Sequence, residues 1–125
     1  MKPIAALLSL AVLAGAAPPN ESPLDPGDAI LLRCSAAFAL VAGDQARGLP
    51  AAKAYPPLAA RGKEFFVQAS AQLMDERHLT REQVQALLQQ QVVQLQQGSA
   101  AAKDPAGYLD QVMQPCLEEL AGAGL

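Results

Sequence analysis

The residues of this 125-residue chain that could carry thiol or metal chemistry are two cysteines and one histidine. A thiol-redox enzyme places its cysteines at Cys-x-x-Cys spacing, so that one thiol lowers the pKa of the other, but Cys34 and Cys116 lie near opposite ends of the chain. A structural zinc site needs about four Cys or His ligands, and a nucleophilic cysteine or serine needs a base. The only histidine is His78. We therefore predict that the protein is not an enzyme and that it has no catalytic, cofactor or metal site.

The N-terminus has the pattern of a secretory signal peptide. Lys2 precedes an apolar run at positions 4–13, and small residues follow up to Ala16. The apolar run is too short for a membrane-spanning helix, which needs about 20 apolar residues. The stretch LAGA at the cleavage point has no cysteine that could carry a lipid. We therefore predict cleavage after Ala16 and a periplasmic product without a stable membrane anchor.

Export changes the interpretation of the two cysteines, because an even number of cysteines in a small exported domain normally pairs in an oxidising compartment. Cys34 shares an apolar helix stripe with Phe38, and Cys116 shares one with Leu120, so both sulfurs should face the same core. The sequence predicts one intramolecular disulfide between Cys34 and Cys116. Pro115 precedes the second cysteine, and our hypothesis is that it bends the helix and brings Cys116 close to its partner.

The charge balance excludes two classes of partner. Loss of Lys2 with the signal peptide leaves 8 of the 9 basic residues against 12 acidic ones, a net charge of −4. Nucleic-acid binding needs a concentrated basic face, and the basic residues here are dispersed along the chain. An acidic chain of this kind also disfavours docking to an anionic membrane.

Proline and glycine divide the chain into three parts. We predict a signal peptide at 1–16, a disordered Pro-rich tail at 17–24 and a single helical domain at 25–125. The mature chain is long enough for one modest core and too short for a second domain.

Four amphipathic helices are predicted in the domain, and no segment has the alternating pattern of a strand. Helix starts are expected at Asp25-Pro26, at Pro57, at the capping box formed by Thr80 and Gln83, and near Pro105. The first helix should end at about Arg47 and the third at Gly98, and the fourth should fray in the terminal AGAGL.

His78 should face solvent at the end of the second helix, where a cation is favourable. Gly62, inside the second helix, is either a weak point or a point of close contact.

The predicted fold is all-α: a compact four-helix array, or an irregular antiparallel bundle, stapled by one disulfide. Two surface features of this array could bind a partner. The third helix carries glutamine at eight positions around a Val and Leu stripe, which is typical of an exposed polar face but also tolerates a partner helix: Gln83, Gln85, Gln89, Gln90, Gln91, Gln94, Gln96 and Gln97. Tyr55, beside Pro56 and Pro57, either covers the core or lines a groove.

The mature chain resembles small exported all-helical proteins of Gram-negative bacteria that have one cysteine pair and no assigned activity. The resemblance rests on the signal peptide and on the stretches RCSAAFALVAG and YLDQVMQPCLEEL. It implies an exported helical protein with one cysteine near each end, and it implies no catalytic residues. Periplasmic acid-stress chaperones are similar in size, helicity and single disulfide, but this chain has one histidine, a wider cysteine spacing and a lower density of charge.

Together these features favour a small periplasmic helical protein that acts as a non-catalytic binding or protein-interaction module of the cell envelope. Its partner would be an envelope protein of unknown identity or a second copy of the chain. The alternatives are a self-associating structural subunit and a chaperone-like stress factor.

Overall fold

The computed structural model describes residues 24–125, and within them it confirms an all-α array of four helices with one disulfide. The helices are α1 (Pro26–Ala46), α2 (Ala59–Arg77), α3 (Arg81–Ala101) and α4 (Pro105–Gly122), with a short 3-10 helix at Pro50–Ala54. The predictions of a signal peptide at 1–16 and of a tail starting at residue 17 lie outside the described residues, apart from Leu24.

Helix α1 is the centre of the array and contacts all three other α-helices. Its buried residues occupy several sides of the helix, as expected for a helix enclosed by neighbours: Asp28, Leu32, Cys34, Ser35, Ala36, Ala37, Phe38 and Val41. By length and hydropathy alone α1 could also cross a membrane. Eight of its 21 residues are buried.

Helix α4 runs antiparallel to α1. Asp44, near the end of α1, lines the same cleft as Tyr108 near the start of α4. At the opposite end, Leu31 of α1 lines a cavity with Gly122 of α4. The antiparallel orientation of α1 and α4 is the one expected for an antiparallel bundle with short connectors.

The predicted disulfide joins these two antiparallel helices. Cys34 and Cys116 are bonded, with their Cα atoms 5.1 Å apart, and both are at most 1% exposed. Helix α4 continues through Pro115, which is exposed, while the next residue is buried in the core. The bend that we attribute to Pro115 remains a prediction.

Three of the predicted helix starts are confirmed by their caps. The Asp25 side chain accepts a hydrogen bond from the N–H of Asp28, at 2.8 Å. The Asp104 side chain accepts one from Gly107 at 3.1 Å. Thr80 and Gln83 form the complete capping box, with hydrogen bonds of 3.1 and 2.8 Å. These caps were predictable because each one involves residues only three positions apart.

The predicted end of the third helix at Gly98 is wrong, because α3 continues to Ala101. Glycine is needed at position 98 because another helix packs against it. A β-carbon at position 98 would collide with the Tyr108 side chain, which lies directly against the glycine. Gly98 therefore permits the close approach of α4 and is not a helix terminator.

The predicted fraying of the C-terminus is also wrong. Gly124 has a φ of +79°, its N–H donates to the carbonyl of Ala121 at 3.0 Å, and the N–H of Leu125 donates to Leu120 at 3.1 Å. These two bonds form a Schellman motif, which satisfies the last carbonyls of α4. In addition, Arg61 donates a 2.7 Å hydrogen bond to the Leu125 carbonyl.

Helix α2 begins at Ala59, two residues later than predicted from Pro57, and the connector before it contains the unpredicted 3-10 helix. The later start of α2 is explained by the hydrogen bonds of Leu58. The N–H of Leu58 donates to the Gln45 side-chain oxygen at 3.1 Å, and the Leu58 carbonyl accepts the first helical bond, from Gly62 at 2.8 Å. Leu58 is therefore the N-cap, and helical hydrogen bonding starts there.

An ion-pair cluster fixes the far end of α2 against the start of α1. Arg77 donates to the carboxylates of both Asp25 and Asp28, and Asp28 is only 5% exposed. The hydrogen bond from the Asp28 N–H, assisted by the positive charge of Arg77, lowers the pKa of Asp25. Because the last residue of α2 meets the first turn of α1, these two helices are also antiparallel.

Candidate functional site

The described residues enclose a cleft of about 660 Å³ at one end of the array. We call it the terminal cleft. Its walls come from the C-terminal ends of α1 and α3, the start of α4, and Ala51 of the 3-10 helix. Its volume falls within the range typical of small-molecule sites, roughly 300–1,000 Å³.

Apolar and polar side chains both line the terminal cleft. Leu40, Leu95 and Leu109 provide part of the apolar wall. The polar and charged lining residues are Asp44, Arg47, Gln96, Ser99, Asp104 and Tyr108. Arg47 forms an ion pair with Asp44 one helical turn away, and its side chain remains 70% exposed. A few polar groups converging on an apolar cleft is the usual composition of a ligand site.

Two local structures hold the wall of the cleft in place. The first is the side-chain amide of Gln45, whose nitrogen donates to the carbonyls of Ala52, Tyr55 and Pro56 at 3.2, 3.3 and 2.8 Å. Its oxygen accepts from Leu58, as described above. One partly buried glutamine thus ties the whole α1–α2 connector to the end of α1.

The second is a contact from the connector to α4. Tyr55 is buried, and its hydroxyl donates to the Asp110 carboxylate at 3.1 Å, while Gln114 donates to the same oxygen at 3.0 Å. Burial, together with the hydrogen bond and the negative charge of Asp110, raises the pKa of Tyr55 to about 12. The interpretation of Tyr55 as a core-covering residue is confirmed.

The polar groups that line the terminal cleft are carboxylates, hydroxyls, an amide and a guanidinium, and none of the lining residues is a histidine or a cysteine. His78 is far from this cleft in the fold: it caps α2 at the start of α3 with a φ of 53° and is exposed, as predicted. Cys34 and Cys116 are committed to the disulfide in the core.

Helix α3 presents a second candidate surface. From Gln83 to Ala102 the chain contains no charged residue. Ala86, Gln90, Val93 and Gln97 form one exposed stripe at helical spacing, which we call the outer stripe, and Val93 is 39% exposed. Of the eight glutamines predicted around the apolar stripe, all except the half-buried Gln91 are exposed. A long exposed helix face without charge is unusual on a soluble domain, where charged residues normally cover the surface.

A third apolar feature lies between α2 and the start of α3, in a groove of about 390 Å³. Val67 and Met74 line it and are 53% and 37% exposed. Arg81 also lines it. Ser70 also lines the groove, and its hydroxyl is buried without a hydrogen-bond partner within residues 24–125.

The sequence analysis identified the glutamine-rich surface of the third helix and missed the terminal cleft. The cleft depends on three helix ends that meet only in the folded chain, and no local spacing signals it. The Asp104-Pro105 start of α4 and the Gly48-Pro50 end of α1 mark two of these ends in the sequence, but nothing in the sequence places them side by side.

Comparison of the chain with protein-family models, with curated proteins and with solved structures gave no match.

Proposed function

We propose that the protein is a non-catalytic protein-interaction module of the bacterial cell envelope, exported to the periplasm, and that the outer stripe of α3 is the surface that meets its partner. The observation that carries the proposal is the absence of charge on this exposed helix between Gln83 and Ala102. Charged residues are depleted at the centres of protein interfaces, because burying an unpaired charge is costly. Glutamine and valine can be covered without that cost.

The rest of the molecule supports a rigid scaffold for this surface. The disulfide ties α1 to α4, and α3 packs against both helices. The side of α3 that faces them holds Val84 and Leu95 in the core. The outer stripe is therefore presented on a fixed helix, and a partner would bind it without ordering a loop first.

Export is part of the proposal and is supported by the disulfide, since structural disulfides persist in oxidising compartments and are rare in the cytosol. Expression of the full chain in a Gram-negative host tests it. We expect the mature mass to lack residues 1–16 and the product to appear in the soluble periplasmic fraction. Recovery of the full-length chain in the membrane fraction would contradict the proposed location.

Site-specific photo-cross-linking in cells tests the interaction surface. A photoreactive benzoylphenylalanine at position 93, in the outer stripe, should give a discrete cross-linked product. The same residue at position 68, exposed on α2, is the matched control and should give none. Absence of a product from position 93, or equal products from both positions, would contradict the proposal.

Self-association is the second candidate, and the same uncharged face favours it. In a twofold-symmetric dimer each residue near the axis meets its own copy, so a charged face would repel itself. The chain carries a net negative charge, but the outer stripe contains no charged residue. A position-93 product of twice the mature mass would assign the surface to a second copy, and a product of any other mass would assign it to a different protein.

A further inference from the structure

We propose that the terminal cleft is a binding site for a small organic ammonium ion with an apolar body. The proposal is independent of the α3 surface and concerns a different part of the molecule. It rests on the shape of the cleft, its charge balance and the hydrogen-bonding capacity of its lining.

The electrostatic balance of the cleft favours a cation. Helices α1 and α3 both end at the cleft and present the negative ends of their helix dipoles there; neither has a basic residue within its last turn, and Arg47 follows as the C-cap of α1. Asp44 and Asp104 add two carboxylates. Opposing them are Arg47 and the N-terminus of α4, which Asp104 already caps. With about half a charge at each helix end, the lining is negative by roughly one and a half charges, and by roughly half a charge when the adjacent Lys103 is included.

Arg47 does not fill the cleft as an internal counter-ion. Its ion pair with Asp44 joins neighbouring turns on the surface, and its side chain is 70% exposed. Exposed pairs of this kind contribute little and exchange readily with solvent. A ligand ammonium could therefore approach Asp44 while Arg47 remains in water.

The hydrogen-bonding groups in the cleft also match an ammonium, which offers three donors and no acceptor. Asp104 uses one carboxylate oxygen to cap α4, and the other oxygen has no partner within residues 24–125. The hydroxyl of half-buried Tyr108 likewise makes no hydrogen bond within the described chain and can accept one. Arg47 is the single lining side chain that only donates.

The apolar wall of the cleft determines the chemistry of the uncharged part of the ligand. Leu40, Leu95 and Leu109 line the cleft together with three alanines and Pro105. A cleft of about 660 Å³ has room for a phenylalkyl group as well as the charged head. A metal ion or a fully hydrated polyamine would leave this apolar wall exposed to water.

The test uses three probes with the same apolar body: 4-phenylbutylammonium, 4-phenylbutanol and 4-phenylbutanoate. Each is titrated into the ¹⁵N-labelled mature protein at low salt, where charges are least screened, and amide shifts are mapped. We expect saturable shifts at residues lining the terminal cleft with the ammonium, weaker ones with the alcohol and none with the carboxylate. Tighter binding of the carboxylate, directed by Arg47 or the adjacent Lys103, would overturn the proposal. Shifts confined to another part of the surface, or no binding by any probe, would also overturn it.

Charge-neutral variants complete the test. Asp104→Asn keeps an N-cap of similar strength, and Asp44→Asn removes only an exposed ion pair, so the double variant should remain folded. It should weaken ammonium binding about fivefold or more, the amount expected for two exposed charges. Asp75→Asn, exposed on α2, is the control and should change nothing. Unchanged binding in the double variant, with its amide spectrum intact, would contradict the role of the carboxylates.

Discussion

Gly62 of α2 lies so close to Phe38 of α1 that a β-carbon on the glycine would be 2.9 Å from the Phe38 Cβ. The contact lets the two helices approach closely where α2 packs against the middle of α1. On the same side of α1, Phe65 meets the Phe38 ring edge to face, with 5.2 Å between ring centroids. Of the two interpretations that the sequence allowed for Gly62, close contact is the correct one.

Gly62→Ala should therefore destabilise the protein. Alanine gains about 1 kcal/mol of helix propensity, but the new methyl group must push apart two helices at a cost of about 1–3 kcal/mol. Gly43→Ala is the matched control, because it lies in α1 and nothing stands within 4 Å of its added β-carbon. The two variants should differ by about 1–3 kcal/mol in urea unfolding, with Gly43→Ala the more stable. Equal stability would show that the Phe38 contact is loose.

Reduction of the disulfide should remove a large share of the total stability. The bond closes a loop between residues 82 positions apart, which the chain-entropy model values at about 4–5 kcal/mol as an upper estimate. The measurement is urea unfolding with and without reductant, and the double variant Cys34→Ala with Cys116→Ala is the control for reductant effects. Thiol labelling of the denatured, unreduced mature protein should find no reactive thiol. Two reactive thiols would contradict the bond.

Stability should fall in alkaline solution between about pH 10 and pH 12. The folded pKa of Tyr55 is raised to about 12, chiefly by burial, from an ordinary value of 10.0. Above the ordinary value the unfolded state loses the tyrosine proton more readily than the folded state does, so unfolding becomes more favourable as pH rises. Absorbance titration of the Tyr108→Phe variant, which leaves Tyr55 as the only tyrosine, should give a midpoint near 12. A midpoint near 10 would show that Tyr55 is not held in its buried environment beside Asp110.

Arg77→Met should destabilise the junction of α1 and α2, because it leaves the Asp28 carboxylate buried without its cation. Adding Asp28→Asn removes the buried charge and should recover part of the loss, so the two substitutions should be non-additive in a double-mutant cycle. The readout is the unfolding midpoint at pH 7. Strict additivity would mean that Arg77 and Asp28 act independently.

The features that the sequence predicted correctly are local or depend on residue type alone. The Thr80 and Gln83 capping box, the Asp-Pro starts of α1 and α4, and the Cys34–Cys116 pair each follow from short spacing or from compartment chemistry. The errors have tertiary causes. Gly98 was predicted to end α3 because the sequence does not reveal that Tyr108 lies against it.

The least predictable residue is Gln45. Its amide contacts backbone groups that lie 7 to 13 positions further along the chain, and a glutamine near the end of a helix has no pattern that signals such a role. The terminal cleft is missed for the same reason, since the connector that Gln45 holds supplies part of its wall. By contrast, the absence of charge from Gln83 to the end of α3 is visible in the sequence, and the structure adds which side of this stretch is exposed.

If the outer stripe of α3 binds a partner because it is free of charge, inserting charge there should weaken the interaction. The double variant Gln90→Glu with Gln97→Glu is nearly isosteric, and both positions are exposed, so the fold should be preserved. Gln68→Glu on α2 makes the same chemical change away from the stripe. The measurement is the yield of the cross-link formed in cells from position 93. We predict that the double variant reduces this yield severalfold while Gln68→Glu leaves it unchanged; an undiminished yield in the double variant would contradict the claim.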